Sequence, residues 1–187
     1  MKNHPTLNQV FARRWAVPIL AQLAGTQGSK FITLTNALDG SRAAIKASLD
    51  LLNTLGLVHP NPGTGHPMRP EYILTPKGKL ISKPATALVK ALNRTDLIDT
   101  GLKKWSMPTI HAIDTGAHRF AAITAALTTP QIAATDRAIS LALTDLHTTS
   151  LIRRTLIDGS PPRNQYTLTH QSKRLAPILI DIHRAMQ

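Results

Sequence analysis

Cysteine is absent from the 187 residues, which removes disulfides, thiolate zinc sites, iron–sulfur clusters and thiol redox sensing together. Acidic residues are scarce. Ten Asp and Glu, of which Glu71 is the only Glu, are scattered singly, so no pair of carboxylates is at hand for acid–base chemistry. Nowhere do about twenty apolar residues run together, so no membrane span is expected. The start, Met1 to Pro5, leads to Arg13 and Arg14 rather than to an apolar secretory segment, and a soluble cytoplasmic protein is expected. Gly63-Thr64-Gly65 lacks the helix and Lys-Ser/Thr of a phosphate loop, and there is no dinucleotide fingerprint and no serine hydrolase motif. His111 and His118 stand seven residues apart with Gly116 between them and no carboxylate to complete a metal set. The chain is read as no enzyme, with no cofactor and no metal.

What the chain does have is positive charge. Twenty-two Lys and Arg leave a net +12, with an isoelectric point near 10.8, a surplus that favours a polyanionic partner such as nucleic acid. Hydrophobic residues make up 42%, enough for a core and too many for a disordered polyelectrolyte.

The sequence also repeats itself. Arg13-Arg14-Trp15-Ala16-Val17-Pro18 is echoed by Lys103-Lys104-Trp105-Ser106-Met107-Pro108, and Lys30-Phe31 through Leu38 by Arg119-Phe120 through Leu127. Leu57-Val58 matches Leu151-Ile152, and Arg69 through Thr75 matches Arg163 through Thr169. These four blocks keep their order and use up both Trp and both Tyr, so an internal duplication is read: residues 1–97 and residues 98–187, joined near Arg94 to Gly101. So short a joint lets the halves pack as a fixed pseudo-twofold pair.

Within the first unit, Val10, Trp15, Ile19, Leu20 and Leu23 recur at helical spacing up to Gly25, with Pro18 forcing a kink or a boundary. A second short helix covers Phe31 to Leu38. Ser41 reads as the N-cap of a third, which places Ile45, Leu49 and Leu52 on one stripe and closes at Gly56. Leu57-Val58-His59 and Tyr72-Ile73-Leu74 read as a hairpin around a Pro- and Gly-rich loop, and a last helix runs from about Lys79 to Leu92. The expected fold is therefore mainly α with small β-hairpins, as two tandem winged helix-turn-helix domains.

The first unit resembles the HxlR-type bacterial transcriptional regulators over about residues 8 to 92, in Trp15, Phe31, Leu34, Ser41, Leu49, Leu52, Gly56-Leu57-Val58 and Arg69 through Gly78. In the second unit Gly56 is answered by Ser150, and Thr75-Pro76-Lys77-Gly78 by Thr169-His170-Gln171-Ser172, so the resemblance there is looser. The resemblance implies a double-stranded DNA partner and single winged domains that dimerise through terminal helices. A tandem copy then implies a pseudo-dimer fused into one chain, monomeric or further paired as a homodimer.

On the third helix, Arg42, Lys46 and Asn53 share one flank, and Ala43, Ala47 and Asp50 face outward. Small residues between cations allow close approach to base edges, and Ser41 with the helix start can hold a phosphate. The resemblance places Arg69 near the DNA backbone, with a pair to Glu71 as the bland alternative. In the second unit five extra residues separate Leu127 from Thr135, as a longer loop or as a helix capped by Thr129 and starting at Pro130. Its third helix offers Arg137 and Ser140, with Asp136 and an outward Leu141, and its hairpin offers Arg153, Arg154 and Arg163 around the Asp158-Gly159 turn. Net charge is +8 over residues 1–97 and +4 over 98–187. The first unit is thus the expected main DNA reader of a transcriptional regulator. The alternative is a winged-helix module for protein–protein interaction without sequence-specific DNA binding. A small-molecule effector between the units or beside Trp15 and Trp105 is weighed against a core role for both indoles, and core is preferred.

Overall fold

The computed structural model describes residues 6–61, 71–159 and 162–187. It is mainly helical, with a three-stranded and a two-stranded antiparallel sheet. Two short helices open the chain, α1 (Leu7–Val10) and α2 (Ala16–Leu23). The break expected at Pro18 lies earlier, between Phe11 and Trp15. Pro18 is the third residue of α2, where a backbone N–H has no helical acceptor, so it neither kinks nor ends the helix.

Next come β1 (Ser29–Lys30), α3 (Phe31–Leu38) and α4 (Arg42–Thr54). Asp39 in the left-handed region (φ 48°) stops α3. Ser41 caps α4 by accepting from the Ala44 N–H at 3.2 Å. Between the two helices Gly40 lies against Trp15, where an added Cβ would sit 2.8 Å from the indole. Trp15 is therefore packing under the helix–helix turn, and Trp105 is 8% exposed, so both indoles serve the core.

The hairpin β2 (Val58–Asn61) and β3 (Glu71–Leu74) is in register Val58 to Leu74 through Asn61 to Glu71, and β1 pairs on the far side of β3, giving the order β1-β3-β2. Helix α5 (Pro76–Arg94) starts three residues before the expected Lys79, because Thr75 caps it and Pro76 fills its first position. Pro84 lies inside α5 and removes one ladder hydrogen bond without ending the helix.

After Asp96, itself left-handed at φ 55°, the expected joint contains a short helix, α6 (Ile98–Gly101). Then follow α7 (Ser106–Asp114), α8 (Phe120–Leu127), α9 (Asp136–Thr148), β4 (Ile152–Ile157), β5 (Arg163–Leu168), α10 (His170–Lys173) and α11 (Ala176–Met186). Of the two arrangements open for residues 128–134, the longer loop is the one found. Thr129 and Ile132 bridge each other in it, and α9 begins only after its cap Thr135, which accepts from the Ala138 N–H at 3.3 Å.

One apolar cluster runs through the molecule, from Leu7, Val10 and Phe11 through Ile45, Leu49 and Leu88 to Ile139, Leu179 and Met186. Helix α5 packs against α2 on one side and α11 on the other. Among the described residues no helix is long and apolar enough to cross a membrane.

Candidate nucleic-acid interface

Helix α4 is amphipathic by its own spacing: Ile45, Ser48, Leu49 and Leu52 are buried, while Arg42, Ala43, Lys46, Asp50 and Asn53 are exposed. Arg42 does not swing freely. Its guanidinium carbon lies 5.5 Å from the centre of the Phe31 ring at the start of α3, a cation–π contact across the helix–helix turn. Lys46 is ion-paired with Asp50 one turn further on, which ties a flank residue to the outward face. Its hydrogen bond to Asp50 holds the Lys46 pKa above the ordinary lysine value, with burial opposing and the Asp50 charge adding to it, so the ammonium stays charged. Ser41 is exposed at the helix start. Arg69 lies outside the described residues.

On α9, Arg137, Ser140 and Leu141 are exposed, with Leu141 at 58%. Ser140 opens onto a cleft shared with Arg119, Phe120, Arg163, Asn164 and Tyr166. A second cleft joins Arg119 and Arg163 to Ile157, Asp158 and Asn164 at the hairpin tip. Arg119, the residue before α8, is the functional candidate that the sequence reading missed; its place in the repeat, opposite Lys30, was the available signal.

The hairpin does not gather its arginines around the turn. Arg153 and Arg154 stand at its base, opposite Thr167 and Tyr166, and only Arg163, opposite Ile157, is at the tip. Neighbouring strand residues point to opposite faces, so Arg153 and Arg154 leave opposite faces of β4. The histidines also separate. His118 Nδ1 lies 3.2 Å from the Tyr166 carbonyl, whereas the His111 ring stacks obliquely on His183 with centres 5.1 Å apart. No group of three or more metal-ligating side chains occurs among the described residues.

A helix, a turn, a hydroxyl-capped second helix and an antiparallel hairpin describe residues 120–168. The HxlR-like helix-turn-helix family profile matches residues 101–187. Over 87 residues, which are 46% of this chain and 77% of the relative, the sequence is 33% identical to the helix-turn-helix-type transcriptional regulator YvaP of Bacillus subtilis. The chain belongs to the HxlR-like helix-turn-helix family. No solved structure matches it.

The HxlR-like match falls on the stretch whose resemblance looked looser, and the backbone shows why the letters misled. Ser150 occupies the left-handed conformation (φ 57°) that Gly56 takes at φ 68°. The Thr169 hydroxyl donates to the Ser150 carbonyl at 2.8 Å and caps α10, just as the Thr75 hydroxyl donates to the Gly56 carbonyl at 2.7 Å and caps α5. At Gly78 an added Cβ would collide with the Leu57 carbonyl at 1.9 Å, whereas Ser172 turns its hydroxyl onto the Leu151 carbonyl. The two stretches share this backbone geometry while their residues differ.

Proposed function

We propose that this chain is a DNA-binding transcriptional regulator in which residues 1–97 and 98–187 are two HxlR-like winged-helix domains fused as a pseudo-dimer, with residues 1–97 as the main DNA reader. The observation that carries the reading is the pair α4 and α9. Each has 13 residues, each is capped by a hydroxyl bonded to the third residue of the helix, and each follows a short helix and precedes a hairpin. In a helix-turn-helix that second helix enters the major groove, and its first turns meet the bases.

Charge supports the division of labour. Helix α4 exposes Arg42 and Lys46, whereas α9 puts Asp136 and Ser140 at the equivalent positions. Arg42 is preset by Phe31, so it loses less side-chain freedom when it binds. Ser41, Ala43 and Asn53 complete the surface on α4; Arg137 and Ser140 on α9, Arg153, Arg154 and Arg163 on the second hairpin, and Arg69 are the remaining proposed contacts. The packing of α5 against α11 supports the pseudo-dimer, since the two helices stand at equivalent places in the repeat.

The test is a titration of fluorescent random-sequence duplex DNA with wild type and Arg42→Ala/Lys46→Ala at several salt concentrations. Binding that weakens steeply with salt, and is weaker and shallower in the double variant, is expected. Binding indifferent to salt and to both substitutions would overturn the reading in favour of a protein-interaction role.

A further inference from the structure

Helix α9 presents a different chemistry from α4. Their buried stripes coincide position for position, Ile45 with Ile139, Leu49 with Leu143 and Leu52 with Leu146. In that register Lys46 becomes Ser140, Ala47 becomes Leu141 and Asp50 becomes Thr144. Leu141 is 58% exposed, one of five large apolar side chains left in solvent among the described residues. The Thr144 hydroxyl is turned back onto the Ser140 carbonyl at 2.9 Å, so the group left to face outward is its methyl.

Leu141 and Thr144 are three residues apart and share a face. They therefore form a short apolar stripe that rises about 4.5 Å along the axis, comparable with the base-pair rise of about 3.4 Å. One cation continues this face and two lie to one side of it. Arg137 is on the same face one turn before Leu141, and Arg119 and Arg163 line the cleft onto which Ser140 opens. An apolar pair beside a cationic cleft, on the second helix of a helix-turn-helix, matches one feature of the major groove: the C5-methyl of thymine, set beside the phosphate strand.

We infer that α9 reads thymine methyl groups through Leu141 and Thr144, with Arg119 and Arg163 on the flanking phosphates and Arg137 continuing the reading face, so that the two halves of the operator differ in kind. Under α4 the half-site is read by hydrogen bonds from Arg42 and Lys46. Under α9 it is thymine-bearing and read by apolar contact. This rests on the DNA-binding reading above.

The experiment first selects a tight duplex from a random pool with the wild-type chain, then replaces each thymine in turn by deoxyuridine, which removes only the methyl. Expected is a cluster of positions on one side of the site where the replacement weakens wild-type binding, by about fourfold per methyl if each loss equals one buried methyl-sized group. Leu141→Ala, on an exposed side chain, should narrow the ratio of thymine-duplex to uracil-duplex affinity. Arg119→Ala should weaken binding to both duplexes equally. Selection that returns no duplex defeats the DNA reading itself. A selected duplex bound equally with thymine and uracil at every position, or a Leu141→Ala protein that discriminates as strongly as wild type, overturns the inference and leaves the DNA reading standing.

Discussion

The side-chain amide of Asn8, on α1, donates to the backbone carbonyl of Leu127, the last residue of α8, at 2.8 Å and across 119 positions of sequence. Helix α1 is thus tied to the C-terminal end of α8, and Arg14 adds a second tie to the Asp99 carboxylate and carbonyl. Asn8 is 7% exposed, so its amide has little water to fall back on. Asn8→Ala should cost about 1–3 kcal/mol, the usual loss when a buried hydrogen-bond partner is deleted. Thermal unfolding checks this. An unchanged midpoint would mean that the contact does not hold α1 against α8.

Ser150 and Gly56 provide a paired test, since both end a 13-residue helix in the left-handed region. Ser150→Gly should stabilise the protein by about 1 kcal/mol, because glycine avoids the steric cost of a Cβ there. Gly56→Ala should destabilise by a similar amount through conformation alone, since an added Cβ would meet nothing within 4 Å. Denaturant midpoints of the two variants are expected to move in opposite directions.

Burial holds the His111 pKa below the ordinary histidine value, with nearby His183 acting in the same direction and Asp114 opposing. A depressed histidine pKa means that the unfolded chain binds the proton more readily than the folded one. Stability should therefore fall as pH drops below about 6.5, the unperturbed value, toward the lower folded pKa. Melting curves from pH 8 to pH 5 should show this decline, and His111→Gln should flatten it. A decline of equal steepness in the variant would assign the dependence to other groups.

The third helix was legible in detail because its limits are set locally. Ser41 and Gly56 mark its ends by cap chemistry, and Ile45, Leu49 and Leu52 mark its buried side. Strand β1 was missed because two residues carry no period; only its pairing of Ser29 with Tyr72 and Lys30 with Glu71 makes it a strand. The Arg42–Phe31 contact spans the helix–helix turn, and no helical spacing announces it. Sequence spacing does not join Arg119 to Arg163, because the cleft they share is assembled by β5 folding back beside α8. The opposite faces of Arg153 and Arg154 could have been read from strand alternation alone.

Arg119 and Arg163 should each remove about one unit from the slope of log affinity against log salt when replaced by alanine, if each neutralises one phosphate. Arg153→Ala and Arg154→Ala should differ from each other, since the two side chains leave opposite faces of β4. Equal effects of these two would mean that the hairpin lies differently on the duplex.

The fused pseudo-dimer is tested most directly by hydroxyl-radical footprinting of a selected duplex, at a chain-to-duplex ratio fixed by native mass measurement. One chain per duplex should protect two patches whose centres lie about 10–10.5 base pairs apart, or a multiple of that, as two linked recognition helices require. A single protected patch per chain, with a second appearing only when a second chain binds, would contradict it.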